Sequence, residues 1–143
     1  MCKEIIDALR SSKHVLAVTH YNPDGDAIGA LAGIGHICSF LNIPYTLLLE
    51  AYPRKFSYIT DAVNVSNKFD DYFDTFVSVD CGDTNRFEAF MHYYNAAKVT
   101  INIDHHQTNI GFANINYVEA DASSASELVY NVAKACNMPH TID

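Results

Sequence analysis

The chain of 143 residues has the length of one domain, with 49% hydrophobic and 18% charged residues, an ordinary globular composition. A formal net charge of −8 argues against a basic surface for long duplex nucleic acid, since such binding needs Lys and Arg to neutralise phosphates. No apolar run approaches the roughly 20 residues that span a bilayer, and four scattered cysteines indicate reduced thiols in a cytoplasmic protein.

Apolar periodicity predicts helices and strands that alternate along the chain. In chain order we expect a helix over 3–11, a strand over 14–19, a helix over 26–41, strands over 44–50 and 75–80, a helix over 85–97, strands over 98–104 and 115–118, and a helix over 124–136. Residues 51–74 show no clear period and should form loops, short helical turns and an edge strand. The alternation predicts one α/β domain over residues 1–143, with a mostly parallel sheet and helices on both faces.

The loop after the first predicted strand concentrates ionisable side chains in residues 19–30. It carries His20, Asp24 and Asp26, and a neighbouring proline and glycine can hold the two carboxylates in a tight turn. Two carboxylates at such a short distance repel each other unless a cation lies between them. Nitrogen and oxygen ligands with little sulfur suit Mn²⁺, Fe²⁺, Co²⁺ or Zn²⁺ better than Ca²⁺.

Two other interpretations of this loop compete with a metal site. An EF-hand loop would need Gly at its sixth position and Glu at its twelfth, where this chain has Ala27 and Gly33, so that interpretation fails. A polar turn in which Asp26 caps the next helix stays open, because Asp is a favoured N-cap residue.

Two further predicted strands end in acidic residues, Asp80 and Asp104, and the pair His105-His106 follows the second of them. Ligands of open α/β folds bind beyond the carboxyl ends of the strands, so we expect these groups to join His20 and the loop carboxylates at that edge of the sheet. Together they offer enough ligands for two divalent ions that share one carboxylate. Two such ions clamp a phosphoryl group and lower the pKa of a water, which predicts a metal-dependent phosphoesterase.

In this order the motifs resemble the DHH phosphoesterase family. The matching segments are His20-x-x-Pro23-Asp24-Gly25-Asp26-Ala27-x-Gly29, Asp80 followed by Arg86, Asp104-His105-His106-x-x-Asn109, and Ala122-Ser123-Ser124 through Glu127. The likeness is greatest to the short-oligonucleotide branch: nano-RNases, pAp phosphatases and cyclic-dinucleotide phosphodiesterases. It implies a hydrolase acting on a short oligonucleotide, a dinucleotide or pAp. Cyclic-dinucleotide hydrolysis and pyrophosphatase activity on the same core are the alternatives.

The resemblance also implies which residues bind metal. One Mn²⁺ would be bound by His20 and Asp24, a second by Asp26 and His105, and Asp80 would bridge both. Mg²⁺, Co²⁺ or Zn²⁺ could replace Mn²⁺.

Three further residues acquire roles from the resemblance. His106 would lie near the leaving oxygen or the scissile phosphate, and Asp104 would orient the histidine pair as a hydrogen-bond acceptor. Arg86 would either bind phosphate or pair with a carboxylate.

The family pattern includes two features that these residues lack: a further metal-ligating Asp in a Thr-Asp motif, and a C-terminal substrate-binding domain with a Gly-rich, His-containing motif. The chain is therefore expected to be the catalytic N-terminal domain alone. Whether it self-associates stays open. The alternative outside the enzymes is a fragment that binds metal but catalyses no reaction.

The remaining polar residues have simpler interpretations. Ser124 and Glu127 have capping-box spacing before the last predicted helix, although Ser123 and Ser124 could instead line the site. The histidines away from the strand ends are predicted to be surface or structural residues: His14, His36, His92 and His140.

Overall fold

The computed structural model of the chain describes residues 1–139, so the prediction for His140 lies outside the described residues. Within that range the elements are α1 (Cys2–Arg10), β1 (Val15–Val18), α2 (Gly25–Phe40), β2 (Tyr45–Leu48), α3 (Ser57–Thr60), β3 (Val65–Ser66), β4 (Thr75–Val79), α4 (Met91–Ala96), β5 (Val99–Asp104), β6 (Ile115–Val118) and α5 (Ala125–Ala135). Two 3₁₀ segments, Arg54–Phe56 and Thr84–Phe90, precede α3 and α4. The strand expected somewhere within 51–74 is β3, at the edge of the sheet.

The strands form one parallel sheet in the order β3-β2-β1-β4-β5-β6. The predicted α/β fold with a mostly parallel sheet is confirmed. The chain builds outwards from β1 to β3 and then returns to the other side of β1 to build β4, β5 and β6. The strand order therefore reverses between β1 and β4, and in open α/β sheets a crevice for ligands forms at such a point, beyond the carboxyl ends of the strands.

Each face of the sheet has its own apolar cluster, because successive strand residues point to opposite faces. In β1, Val15 and Ala17 join the cluster that includes buried residues of α1, α2 and α5. Leu16 and Val18 join an aromatic cluster on the opposite face, which contains Phe87 and the other buried rings of the 84–96 segment. The predicted placement of helices on both faces is confirmed.

Close approach of α2 to its neighbours depends on two of its glycines. A Cβ at Gly35 would lie 2.9 Å from the Tyr45 ring of β2, and a Cβ at Gly33 would lie 2.7 Å from Val129 Cγ1 of α5. These glycines therefore let α2 pack tightly against the sheet on one side and α5 on the other.

The prediction of one helix over 85–97 was wrong in its first half. Residues Thr84–Phe90 form a 3₁₀ segment in which Phe87 is not helical (φ −123, ψ 38), and the α-helix begins only at Met91. The break lets Phe87 bury its ring 5.2 Å from that of Phe76 while Phe90 is also buried.

Among residues 1–139, no helix is both long and apolar enough to cross a membrane. The four cysteines are free thiols, and burial raises the pKa of Cys38 to about 12.

Candidate metal centre

The loop after β1 and the first turn of α2 deliver three of the predicted ligands. Asp24, not Asp26, is the N-cap of α2: its side chain accepts a hydrogen bond from the Ala27 N–H at 2.9 Å. The competing interpretation, in which Asp26 caps this helix, does not hold, because Asp24 has the extended backbone of a cap residue (φ −93, ψ −173) and the helix begins at Gly25. Asp26 lies in the first turn and is free to reach across to other elements.

Asp80 stands at the end of β4 and at the middle of the site. Its φ of 59° is uncommon for a residue other than glycine, and its side chain is only 5% exposed. Its Oδ2 lies 3.3 Å from His20 Nε2, and its Oδ1 lies 3.4 Å from His105 Nε2. Within the described part of the chain Oδ1 is buried with no hydrogen-bond partner.

Asp26 connects this centre to α5. Its two carboxylate oxygens accept hydrogen bonds from the backbone N–H groups of Ala125 (3.0 Å) and Ser126 (2.9 Å), about a hundred residues further along the chain. Partial burial raises the pKa of Asp26, but hydrogen bonds from Ser126 and Ala125 outweigh it and hold the pKa below its ordinary value. Asp26 Oδ2 also lies 3.9 Å from His105 Nε2, so one carboxylate faces both a helix N-terminus and a predicted ligand.

The two histidines of the pair have different nearest carboxylates. His105 faces Asp80 and Asp26, whereas His106 Nδ1 lies 2.6 Å from Oδ1 of Asp104. Asp104 is fully buried, and its Oδ2 accepts a hydrogen bond from Asn109 Nδ2 at 2.8 Å. Asp104 therefore holds one ring of the pair rather than both, and Asn109, a motif residue for which no role was predicted, holds Asp104.

The potential ligands fall into two groups that share Asp80. One contains His20, Asp24 and Asp80, the other Asp80, His105 and His106, and within each group the ligand atoms lie within 4.8 Å of one another. The hydrogen bond that His20 donates to Asp80 raises the pKa of His20, against the opposing effect of partial burial. A cavity of about 510 Å³ opens over both groups and is lined by His20, Asp24, Asp26, Asp80, Arg86, His105, His106, Ser123 and Ser124. The structure thus brings seven of the eight predicted site residues to one cavity, with Asp104 buried behind His106.

Arg86 and the two serines complete the wall. Arg86 is exposed, its guanidinium lies 6.0 Å from the centroid of the Tyr21 ring, and it pairs with no carboxylate among residues 1–139. Ser124 is the N-cap of α5, as predicted, through a 3.1 Å hydrogen bond from the Glu127 N–H to its hydroxyl. Ser124 also lines the cavity. The same residue therefore caps α5 and lines the cavity, so both of its predicted positions are found.

A second cavity, of about 360 Å³, was not predicted. It lies between the segments that follow β1, β2 and β4, and it shares His20 and Arg86 with the metal centre. The sequence alone could not identify it, because it depends on the strand order that makes these three segments neighbours.

Comparisons with known proteins support the identification of the family. The N-terminal domain of the DHH family matches residues 14–143. A Streptococcus mutans protein named as a "probable bifunctional oligoribonuclease and PAP phosphatase", NrnA, is 29% identical over 133 residues, which cover 92% of this chain and 42% of that protein. The chain thus spans about two fifths of the curated relative it matches.

Solved structures have the same fold. An exopolyphosphatase-related protein from Bacteroides fragilis superposes with a TM-score of 0.82 at 22% identity, over 96% of this chain and 43% of that one. RecJ from Thermus thermophilus, solved in complex with Mn²⁺, gives a TM-score of 0.51 at 19% identity, over 96% of this chain and 21% of that one. Because the DHH N-terminal domain matches nearly the whole sequence, the chain belongs to the DHH family.

Proposed function

We propose that this chain is the catalytic domain of a phosphoesterase that uses two divalent cations, Mn²⁺ first among them, to hydrolyse short oligonucleotides or pAp. Membership of the DHH family supports the general class. The similarity to an S. mutans protein named as an oligoribonuclease and PAP phosphatase supports this choice of substrate.

The observation that carries the proposal is the environment of Asp80. A buried carboxylate oxygen without a partner is costly, and within residues 1–139 the Oδ1 atom of Asp80 is such an oxygen. Imidazole nitrogens of His20 and His105 lie within 3.4 Å of its two oxygens, and among residues 1–139 no lysine or arginine pairs with this carboxylate. A divalent cation on each side of Asp80 would satisfy the carboxylate and both imidazoles, and the mixed nitrogen and oxygen ligands suit Mn²⁺ or Zn²⁺.

The distances favour one assignment of the ligands. His20, Asp24 and Asp80 would hold the first ion. Asp80 and His105 would hold the second. His106 is the third member of that compact group, but its Nδ1 is already 2.6 Å from Asp104, so we assign the third ligand to Asp26, which faces His105 at 3.9 Å.

The bound ions would polarise the phosphate and lower the pKa of a water. Arg86, exposed at the cavity wall and free of any carboxylate in the described residues, would hold a non-bridging phosphate oxygen. His106 would pass a proton to the leaving oxygen from Nε2, because its Nδ1 lies 2.6 Å from Asp104 and only Nε2 is left to face the substrate. The product would be a mononucleotide.

Calorimetric titration of the metal-free chain with Mn²⁺ tests the metal centre. Asp80→Asn is the informative variant, because Asn keeps the shape of the side chain and tolerates positive φ. Asp71→Asn, at an exposed position away from the cavity, is the matched control. We expect two ions in the wild-type chain and the control, and weakened binding of both ions in Asp80→Asn. Absence of Mn²⁺ binding by a folded chain would refute the assignment.

Substrate class needs a separate assay, because the same core could serve a cyclic-dinucleotide phosphodiesterase or a pyrophosphatase. Mn²⁺-dependent hydrolysis of pAp, a linear dinucleotide, a cyclic dinucleotide and pyrophosphate should be compared side by side. We expect mononucleotide release from the linear dinucleotide and phosphate release from pAp. Turnover of pyrophosphate alone would contradict the proposed substrate class.

A further inference from the structure

We infer that the second cavity is a nucleoside site, which takes the base and sugar attached to the phosphate at the metal centre. The inference rests on the proposed function and adds a place for the part of the substrate that the metal centre does not touch. Its volume of about 360 Å³ falls in the range of small-ligand pockets, roughly 300–1,000 Å³.

The inner wall of the cavity suits a flat apolar group. Leu48 and Leu49 at the end of β2 and Phe87 and Phe90 from the 3₁₀ segment line it, and all four are buried against the sheet. The aromatic cluster fixes the position of Phe87, so this wall is formed before any ligand arrives. A preformed apolar wall favours a base over a flexible chain.

The charges set the direction in which a nucleotide would lie. Glu50 and Glu88 line this cavity, and its basic groups are Arg86 and the imidazole of His20, the two residues shared with the metal centre. A phosphate would be repelled by the glutamates and drawn to the shared boundary, which leaves the uncharged base and sugar to enter the second cavity.

The rim supplies hydrogen-bonding groups that have no partner in the described part of the chain. Among residues 1–139, the side chains of Asn22, Glu50 and Asn85 line the cavity without an intramolecular hydrogen bond, and all three are exposed. Tyr21, 60% exposed with Arg86 over its ring, offers an aromatic surface beside them. Single-stranded bases are recognised by this combination of aromatic or arginine planes and polar edges.

The test compares ligands that differ only in the base. Binding of adenosine 5′-monophosphate and of ribose 5-phosphate to the Mn²⁺-loaded chain is measured by calorimetry. We expect the nucleotide to bind at least ten times more tightly. In a ¹⁵N-labelled metal-free chain, adenosine alone should shift the amide signals of Leu48, Ala51 and Phe87.

A variant that fills the cavity locates the effect. Ala51→Trp places an indole at an exposed cavity position, so the fold should tolerate it, and Ala135→Trp on α5 is the matched control. We expect Ala51→Trp to abolish the preference for the nucleotide and Ala135→Trp to keep it. Equal binding of the two ligands by the wild-type chain, or an unchanged preference in Ala51→Trp, would overturn the inference.

The assay also separates this inference from the proposed function. Hydrolysis of bis(p-nitrophenyl) phosphate, a diester without a base, requires only the metal centre. Hydrolysis of this ester with equal binding of the two ligands would overturn the nucleoside site and leave the phosphoesterase standing. Adenosine shifts in a chain that hydrolyses no phosphoester would support the nucleoside site and refute the proposed function.

Discussion

The two ends of the parallel sheet carry similar polar side chains. The two sets differ in whether their hydrogen-bonding atoms have partners. At the amino ends of the strands, Asp74 accepts hydrogen bonds from the backbone N–H groups of Lys13 and His14, and the hydroxyls of Ser12 and Thr75 lie 2.6 Å apart. At the carboxyl ends, Asp80 is buried, and one of its oxygens has no hydrogen-bond partner in the part of the chain that the structure describes. Polarity is common to both ends, and unmet hydrogen-bonding capacity distinguishes the end that holds the candidate metal centre.

The difference follows from what each end must do. A group that serves the fold gains most when every donor and acceptor has a partner inside the chain. A group that binds a ligand must keep part of its capacity open, and the fold bears the cost until the ligand arrives. Substitutions at the two ends should therefore separate activity from stability.

The largest effect is expected at Asp80. Asp80→Asn should lower the hydrolysis rate by at least about 10³-fold, equivalent to roughly 4 kcal/mol, because both ions lose a ligand. The free energy of unfolding should not fall, since a neutral amide is cheaper to bury than an unpaired carboxylate. Steady-state kinetics and urea unfolding measure the two quantities. If Asp80→Asn instead keeps the hydrolysis rate and loses stability, Asp80 serves the fold rather than the reaction.

Asp104 should give a smaller loss of activity. In Asp104→Asn the amide cannot accept from both His106 and Asn109 as the carboxylate does, so the His106 ring loses its orientation. We expect kcat to fall by about 10- to 100-fold, the usual effect of losing such a partner. NMR of the histidine nitrogens should show an altered tautomer at His106, and His36→Gln, at an exposed position on α2, serves as the control. An unchanged kcat would show that His106 takes no part in the reaction.

The amino end should respond in the opposite way. Asp74→Ala leaves the Lys13 and His14 N–H groups without their acceptor, so stability should fall by about 1–2 kcal/mol. Mn²⁺ binding should not change. Urea unfolding at constant m-value, with Asp71→Ala as the exposed control, measures the loss. Weaker Mn²⁺ binding in a folded Asp74→Ala chain would show that the two ends are coupled.

How far the sequence predicts this centre depends on the origin of each contact. His20, Asp80 and Asp104 could be assigned to one edge because a parallel sheet brings the carboxyl ends of its strands together. The hydrogen bonds of Asp26 to the N-terminus of α5 could not be predicted, because the two segments meet only through packing of α2 on α5. The break at Phe87 was equally hidden, since burial of its ring, rather than helix propensity, decides the backbone there.

The smallest effect concerns the pH dependence of stability at the amino end. The His14 ring stacks on Phe69 at 4.3 Å, and its Nε2 lies 3.0 Å from the Thr46 hydroxyl. Burial lowers the pKa of His14 below its ordinary value of 6.5, partly offset by Asp71 and Asp74. The unfolded chain therefore takes up a proton at His14 more readily than the folded one.

The stability that neutral His14 contributes should be complete above pH 6.5 and decline as the pH falls through the lower folded pKa. His14→Gln removes that decline, so urea midpoints should fall less between pH 7 and pH 5 in the variant than in the wild type. The raised pKa of His20 acts with the opposite sign in both chains, so it cancels when the two are compared. Parallel pH profiles would mean that the folded chain accepts the proton at His14 without cost. The amino end would then also hold a group with unmet hydrogen-bonding capacity. That property would no longer distinguish the amino end from the candidate metal centre.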